Sequence, residues 1–122
     1  MNKKEKQFIK FATDYCNKLS KTLLLDSFTP IEVSFDKVDR DSMAEATFNF
    51  PYKSIKINCN KEILKEDLQS QKETLVHEMC HAITDPLYSS AFDRFITKGE
   101  LSNRREELTD HIANIIIKNK LS

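Results

Sequence analysis

Three short segments of alternating apolar and polar residues lie between segments with helical periodicity, and this order constrains the fold more than any other feature of the chain. They cover residues 31–35, 44–50 and 55–59. Alternation with a period of two predicts strands that each have one buried and one solvated face. Residues 51–53 are few enough to join the last two strands as a hairpin. The sequence therefore predicts a small, mainly antiparallel three-stranded sheet with helices on its apolar side.

Helical periodicity flanks the sheet on both sides. From Lys4 to about Leu25, apolar residues recur at three- and four-residue steps, which predicts an N-terminal amphipathic helix. After the strands, Asn60 is a capping residue for a short helix, and Ser70 with Glu73 has the form of a capping box that begins the next helix. Together these elements predict an α+β fold.

The boundaries of the two C-terminal helices are predicted from breakers and caps. Asp85-Pro86 is expected to end the capping-box helix, because proline disfavours helical conformation in the residue before it. Residues 87–101 are expected to be mostly irregular. The last helix is expected to run from residue 102 or 103 to about residue 119.

Length and composition indicate one globular domain over residues 1–122. The formal net charge is zero, so no nucleic-acid partner is expected. The chain has three cysteines, an odd number, and no two of them form a C-x-x-C pair. Both features favour reduced thiols in a cytoplasmic protein. No signal peptide and no apolar run of the roughly 20 residues that a membrane span needs are found. We therefore expect a cytoplasmic protein with no membrane partner.

The stretch TLVHEMCHAI, residues 74–83, contains His77, Glu78 and His81 in the pattern H-E-x-x-H. At roughly 100° per residue the two histidines lie about 40° apart on a helix, so both imidazoles can reach one metal ion. Glu78 is turned about 100° from His77, which suits a base that acts on a water better than it suits a ligand. Chance produces this pattern in under about 1% of such chains. A metal-free helix with both histidines in the core is the alternative interpretation.

A catalytic zinc ion requires three protein ligands and an open position for water. The metzincin pattern would have glycine and histidine where Thr84 and Leu87 stand, so that class is excluded. Seven side chains downstream remain as candidates for the third ligand: Asp85, Asp93, Glu100, Glu106, Glu107, Asp110 and His111.

The phase of the last helix separates these candidates. Its buried side is predicted from apolar residues at helical spacing: Leu108, Ile112, Ile115 and Ile116 mark it, and Ala113 and Ile117 widen it. Glu106 and Asp110 lie together at the edge of this side, whereas Glu107 and His111 fall on the polar side. Glu106 is therefore the preferred third ligand, and Asp110 is placed to accept a hydrogen bond from the free ring nitrogen of a zinc-bound histidine. A favourable interaction of acidic residues with the start of a helix is the alternative explanation for both.

His77-Glu78-x-x-His81, followed on the next long helix by Glu106-x-x-x-Asp110, resembles the gluzincin metallopeptidases. The order of elements is similar to that of minimal members of this group, which are the IrrE/ImmA-type, SprT-like and small phage metallopeptidases. The resemblance covers most of the chain, but only the five motif positions are specific. It implies a single zincin-like domain in which Zn²⁺ is the cofactor, Glu106 is the third zinc ligand and Asp110 supports a histidine.

The function implied by this resemblance is zinc-dependent hydrolysis of peptide bonds by a protein of phage or mobile-element origin. The substrate would be a protein or peptide, and a repressor is one candidate. Glu78 would be the general base toward a zinc-activated water. Tyr88 and Arg94 are the candidates for binding the oxyanion or the substrate. The alternative function is a non-catalytic, zinc-stabilised interaction or regulatory module.

Overall fold

The computed structural model describes residues 1–23, 31–35, 42–49, 54–91 and 98–118. Its elements in chain order are α1 (Lys3–Thr22), β1 (Ile31–Ser34), β2 (Ala44–Asn49), β3 (Ser54–Cys59), a 3₁₀ helix (Lys61–Lys65), α2 (Leu68–Ala91) and α3 (Lys98–Lys118). The predicted α+β class and the predicted order of helix, sheet and two C-terminal helices are confirmed. Among the helices of these described ranges, none is long and apolar enough to cross a membrane.

The sheet is mixed and has the strand order β1-β3-β2. β2 and β3 are antiparallel, with Ala46 opposite Ile57, as the predicted hairpin requires. β1 runs parallel to β3, with Val33 opposite Ile57, whereas the alternation predicts a mainly antiparallel sheet. Alternation identifies the buried face of a strand but is the same for either strand direction, so it cannot distinguish the two pairings. The order of the strands makes β2 an edge strand of the described sheet.

The core lies between one face of the sheet and the helices. Ile55, Ile57 and Cys59 alternate with more exposed residues along β3 and are buried in it. The largest fully buried side chains come from the sheet, the 3₁₀ helix and all three α-helices, and include Leu19, Ile55, Ile57, Ile63, Leu75, Met79 and Thr109. Because α2 is anchored in the core by its apolar side, its polar side is left to face α3.

α2 begins earlier than predicted. The side chain of Asp67 accepts a hydrogen bond from the backbone N–H of Ser70 at 2.8 Å, so Asp67 and not Ser70 is the N-cap. The same bond lowers the pKa of the Asp67 carboxyl below its ordinary value. Aspartate and serine are comparable capping residues. The earlier start also adds backbone hydrogen bonds, such as that from the N–H of Gln71 to the carbonyl of Asp67 at 3.0 Å.

α2 also ends later than predicted, because it continues through Pro86 to Ala91. Proline lacks an N–H and so removes one backbone hydrogen bond, and it disfavours helix in the residue before it. α2 contacts α3 just before the proline, through Thr84 and Asp85, and tertiary packing can outweigh such local preferences. α3 begins at Lys98, earlier than predicted. Residues 87–91 and 98–101 are therefore helical, not irregular, and residues 92–97 lie outside the described part of the chain.

The buried side of α3 agrees with the predicted one only in part. Ala113 and Ile116 are buried as predicted and Thr109 is buried as well, whereas Leu108 and Ile115 are 41% and 47% exposed. The prediction counted only apolar residues and therefore left out Thr109, whose hydroxyl is hydrogen-bonded inside the core. Glu106 precedes Thr109 by one helical turn, so this rotation of α3 moves Glu106 closer to the face that packs on α2.

A buried pair of hydroxyl groups joins α2 to α3. Thr84 and Thr109 are 3% and 0% exposed, and their Oγ1 atoms lie 2.8 Å apart. Thr109 donates its hydroxyl hydrogen to the carbonyl oxygen of Arg105 at 2.8 Å. A hydroxyl has one hydrogen to donate, so Thr84 donates to Thr109. The bond between the two hydroxyls joins α3 to α2, and the bond to the Arg105 carbonyl fixes the Thr109 hydroxyl within α3.

Replacing Thr109 with valine is expected to lower the free energy of unfolding by about 1–3 kcal/mol, because valine keeps the shape but leaves the Thr84 hydroxyl buried without an acceptor. Thr84→Val is expected to cost less, since Thr109 keeps its bond to the Arg105 carbonyl. The double change should cost less than the sum of the two, because no hydroxyl is then left unpartnered. Urea unfolding of the metal-free proteins measures all three variants.

Thr47→Val is the matched control for these changes, because Thr47 is exposed on β2. Its effect is expected to stay within about 0.5 kcal/mol. If the two core substitutions were strictly additive, the proposed coupling between the hydroxyls would be wrong.

Candidate metal centre

Two histidines of α2 form the centre of the site. His77 and His81 lie one turn apart on the side of α2 that faces α3, with ring centroids 5.0 Å apart and ring planes at 78°. The helix predicted for this motif is confirmed. The intervening Met79 and Cys80 are fully buried and fix the helix in the core. Both rings are thereby held near one point between the two helices.

Each histidine has a carboxylate at its Nδ1 atom. The Nδ1 atom of His77 lies 2.8 Å from Oδ1 of Asp110 on α3. The Nδ1 atom of His81 lies 2.9 Å from Oδ1 of Asp85, one turn further along α2, and the two form a hydrogen bond. An ionised carboxylate only accepts hydrogen bonds, so the hydrogen of each neutral ring is placed on Nδ1. The lone pair of each Nε2 atom is then available to a metal ion.

The two Nε2 atoms converge on Glu106. Oε2 of Glu106 lies 3.3 Å from Nε2 of His77, and Oε1 lies 3.5 Å from Nε2 of His81. Nitrogen and oxygen ligands at about 2.0–2.2 Å from a tetrahedral zinc ion are separated from one another by roughly 3.3–3.6 Å. Both N···O distances lie in this range, each to a different oxygen of Glu106. Glu106 is therefore near both histidines.

Glu78 lies beside the histidines and is 7% exposed. One ligand atom from each of His77, Glu78 and His81 lies within 4.8 Å of the other two, and this group could hold a metal ion. Two carboxylates, Glu78 and Glu106, therefore border the same point. The oxygens of Glu106 lie 3.3 and 3.5 Å from the two Nε2 atoms, so either carboxylate is near enough to join the histidines at a metal ion.

Burial raises the pKa of the Glu78 carboxyl from its ordinary value of 4.5 to about 7. The nearby His81 opposes this shift, whereas the negative charges of Glu106, Asp85 and Glu45 add to it. A carboxyl group with a pKa near neutrality can both accept and release a proton under ordinary conditions. A divalent cation at the adjacent site favours the carboxylate and would lower this pKa.

Two opposing effects determine the pKa of His81. Burial lowers it, but the hydrogen bond to Asp85 and the charges of Glu78, Asp85 and Glu106 raise it, and the net shift is upward. His81 and Glu78 therefore both hold a proton more readily than an ordinary histidine or glutamate does. A metal ion that binds here must displace these protons.

The site contains two further residues, Arg105 and Asp85, whose contacts were not predicted from the sequence. The guanidinium of Arg105 lies 3.6 Å from Oε1 of Glu106 through Nη2 and 4.0 Å from Oδ1 of Asp85 through Nε. Asp85 was a candidate ligand in the sequence and instead contacts His81. Asp85 follows His81 by four residues, and this spacing predicts the contact if both residues are in one helix. The contact was missed because the helix was expected to end at Asp85-Pro86.

An open cleft of about 730 Å³ leads to the histidines. Its walls come from α2, α3 and the segment that includes the start of β2, and the lining residues are Ser42, Met43, Ala44, Glu45, Ala46, Glu73, Thr74, His77, Glu78, His81, Asp85, Arg105 and Glu106. The site is therefore accessible from solvent along the edge strand of the sheet.

The remaining candidate residues from the sequence are exposed on α3 or lie outside the described part of the chain. Glu107, His111 and Glu100 are exposed on α3. Tyr88 is in α2, but its side chain lies outside the described residues, as do Arg94 and Asp93 altogether. The assignment of an oxyanion or substrate contact to Tyr88 or Arg94 stays a prediction.

Cys80 lies inside the motif but faces the core. It is 0% exposed, and burial raises the pKa of its thiol to about 11. Metal ions are bound by the thiolate form of cysteine, which this environment disfavours. Cys80 therefore serves packing in the core.

Comparison with known proteins identifies no relative. No family model, no curated protein and no solved structure matches the chain. The function is therefore argued from the site itself.

Proposed function

We propose that this protein is a zinc-dependent peptidase that hydrolyses peptide bonds of a protein or peptide substrate. His77, His81 and Glu106 hold the metal ion, and Glu78 is the general base. The observation that carries the proposal is the convergence of the two Nε2 atoms on Glu106, at 3.3 and 3.5 Å, beside a buried carboxyl group. The resemblance to gluzincin metallopeptidases supports the same assignment.

The set of donor atoms favours zinc over other common metal ions. Two imidazoles and one carboxylate are a ligand set of catalytic zinc sites, which leave a fourth position for water or substrate. Magnesium and calcium prefer sites made of oxygen atoms. The carboxylates at the Nδ1 atoms of both histidines support this choice, because such contacts orient metal-bound imidazoles and increase their basicity.

Each residue then has a distinct task in hydrolysis. A bound zinc ion supplies a Lewis acid that polarises the scissile carbonyl and lowers the pKa of a coordinated water to about 7. Glu78 accepts the proton that the attacking water loses and passes it to the nitrogen of the leaving amine. Asp110 holds the ring of His77 in the orientation that directs Nε2 toward the metal.

The cleft provides a path for an extended substrate. Its lining includes Ala44, Glu45 and Ala46 of the edge strand β2. Peptides commonly bind to the edge of a sheet as an added strand, so that main-chain hydrogen bonds position the segment and alternate side chains enter pockets. A peptide along β2 would lie across the face of α2 that carries His77 and His81.

A non-catalytic, zinc-stabilised interaction module is the second candidate. The observation that favours it concerns the oxyanion, which needs a hydrogen-bond donor in addition to the metal ion. Apart from the histidines, the one cationic side chain among the described lining residues is Arg105, and its guanidinium contacts Asp85 and Glu106. In this case the protein would bind one zinc ion and a partner but would cleave nothing.

Metal analysis together with a cleavage assay tests the proposal. The purified protein is expected to contain about one zinc ion per chain and to cleave an unfolded protein such as reduced, alkylated casein. Removal of the metal with 1,10-phenanthroline should stop cleavage, and addition of zinc should restore it. Stoichiometric zinc without cleavage of any cognate or unfolded substrate would favour the interaction module, and absence of tightly bound metal would exclude both functions.

Zinc is expected to stabilise the fold, because its ligands come from two helices and the unfolded chain lacks the site. At 100 times its dissociation constant, a metal ion that binds only the folded state adds about 2.7 kcal/mol. The added stability should decrease as the pH falls below about 7, because protons retained by Glu78 and His81 compete with the metal. Thermal unfolding with zinc and with EDTA between pH 5.5 and 8 measures this difference, and a constant difference would contradict the assigned site.

A further inference from the structure

Asp85 and Arg105 belong to the site but have no part in the proton transfer described above. They are connected to the metal ligands through a closed ring of contacts. Nδ1 of His81 lies 2.9 Å from Asp85, Asp85 lies 4.0 Å from the guanidinium of Arg105, and Arg105 lies 3.6 Å from Glu106. The ring closes where Glu106 lies 3.5 Å from Nε2 of His81.

The two halves of this ring come from different helices. His81 and Asp85 are on α2, and Arg105 and Glu106 are on α3. The side chains of His81, Asp85 and Arg105 are 9%, 23% and 25% exposed, so water screens their interactions less than it would at the surface. A displacement of α3 would therefore alter the contacts of both Asp85 and Glu106.

We propose that Asp85 is the positioning residue for His81, and that Arg105 links Asp85 to Glu106 so that docking of α3 orients two metal ligands at once. The proposal rests on the proposed metal site but not on peptidase activity. Asp85 acts through its hydrogen bond to Nδ1, which fixes the tautomer and the direction of the ring. Arg105 acts by holding the Asp85 and Glu106 carboxylates near one another despite their like charge.

The continuation of α2 through Pro86 is what makes this arrangement possible. Asp85 follows His81 by four residues, and helical neighbours at this spacing lie on the same face. If the helix ended before Asp85, its carboxylate would have no defined position relative to the ring. The unexpected length of α2 thereby has a consequence for the metal centre.

His77 offers an internal comparison. Its carboxylate partner Asp110 comes from α3, and the Asp110 side chain is 62% exposed, whereas that of Asp85 is 23% exposed. Water competes more effectively for the exposed carboxylate. Loss of Asp85 is therefore expected to reduce metal affinity more than loss of Asp110 does.

The test measures zinc affinity by competition with a chromogenic chelator, and ligand geometry by the visible absorption of the cobalt-substituted protein. Outer carboxylate partners of metal-bound histidines typically contribute about 10–100-fold to affinity, so Asp85→Ala is expected to lose affinity within this range and to alter the cobalt spectrum. Asp85→Asn keeps an acceptor of the same shape and is expected to retain part of the affinity. Glu73→Gln is the charge control, because Glu73 lines the same cleft but bonds to Gln69.

The direction in which Arg105→Gln changes the zinc affinity distinguishes a positioning role from a purely electrostatic one. If Arg105 only adds positive charge beside the ion, its removal should tighten zinc binding. If it positions Asp85 and Glu106, its removal should weaken binding, which is the result expected here. Arg104→Gln, the same change at an exposed neighbouring position, should have little effect. Asp85→Asn combined with Arg105→Gln should lose less affinity than the product of the two single losses.

Circular dichroism of the metal-free variants shows whether each is folded before its affinity is compared, and Asp85→Asn supplies the comparison if Asp85→Ala is unfolded. Wild-type affinity and an unchanged cobalt spectrum in the folded Asp85 variants would overturn the positioning role of Asp85. Tighter binding by Arg105→Gln would overturn that of Arg105. Failure of the wild-type protein to bind zinc would instead refute the proposed metal site, so the two failures can be told apart.

Discussion

Glu78→Gln is expected to reduce hydrolysis by a factor of about 10²–10⁴ while leaving the metal bound, because general-base catalysis typically contributes this much. Glutamine has nearly the same shape as glutamate but cannot accept the proton of the attacking water. His77, His81 and Glu106 remain in place to hold zinc. The measurements are the rate of cleavage of an unfolded protein and the zinc content of the purified variant.

Glu107→Gln is the matched control, since it makes the same change at an exposed position on α3. It is expected to cleave at the wild-type rate and to bind zinc normally. Cleavage by Glu78→Gln at the wild-type rate would show that Glu78 is not the base. Loss of zinc from this variant would show that Glu78 is a ligand, which its position among the histidines also permits geometrically.

The same substitution is expected to stabilise the metal-free protein at neutral and alkaline pH. Folding raises the pKa of Glu78 from 4.5 to about 7, mainly because the carboxyl is buried. A group whose pKa is raised on folding contributes stability below its unfolded pKa, and that contribution is lost as the pH rises to the folded pKa. The loss between pH 4.5 and 7 is of the order of 3 kcal/mol, and glutamine should remove it. Urea unfolding in EDTA at pH 5 and pH 8 compares the two proteins.

The second large effect is expected from Glu106→Ala, which removes the third ligand. Zinc affinity should fall by more than the roughly 100-fold that marks the upper range for outer carboxylate partners, because two imidazoles alone leave the ion without a protein anion. Glu106 is the group on which both Nε2 atoms converge, at 3.3 and 3.5 Å. Chelator competition measures the affinity, and equilibrium unfolding of the metal-free variant separates loss of the ligand from loss of the fold.

Glu107→Ala is the control for placing an alanine in α3 and for losing one negative charge, because Glu107 is the next residue but is exposed. It is expected to bind zinc as the wild type does. A Glu106→Ala protein that keeps tight, stoichiometric zinc would refute the assignment of the third ligand. Glu78 would then be the carboxylate to test next, since it borders the same histidines.

Much of the fold can be predicted from periodicity. The α1 stripe, the three strands and the helix that carries His77 and His81 are all confirmed, because the period of two or of 3.6 is set by which side chains must be buried. The direction of β1 cannot be predicted in this way, since a strand buries the same face in either direction. Both ends predicted for α2 and the start predicted for α3 were wrong, because local caps and breakers do not register how the two helices pack on one another.

Some residues of the candidate site could likewise be predicted from the sequence, and others could not. The histidines and Glu78 are adjacent in sequence on one helix, so their spacing alone places them together. Glu106 and Asp110 were predicted from the phase of α3, and the structure brings both to the histidines although the buried side of α3 is centred on Thr109 and not on Leu108. Both residues lie at the edge of the predicted face, so they still face α2 although the buried side of α3 is rotated from Leu108 toward Thr109. Asp85 and Arg105 were not predicted as partners, because their roles depend on the continuation of α2 and on contacts between helices.

The sequence by itself determined which residues can bind a metal ion and on which face of each helix they lie. The tertiary structure alone decided that α3 docks with Glu106 at the two Nε2 atoms, that Asp85 remains helical beyond the expected stop, and that Arg105 contacts the carboxylates of both helices. Side-chain spacing within a helix is set by the repeating backbone, whereas the register of one helix on another is set by how buried groups such as Thr84 and Thr109 fit together.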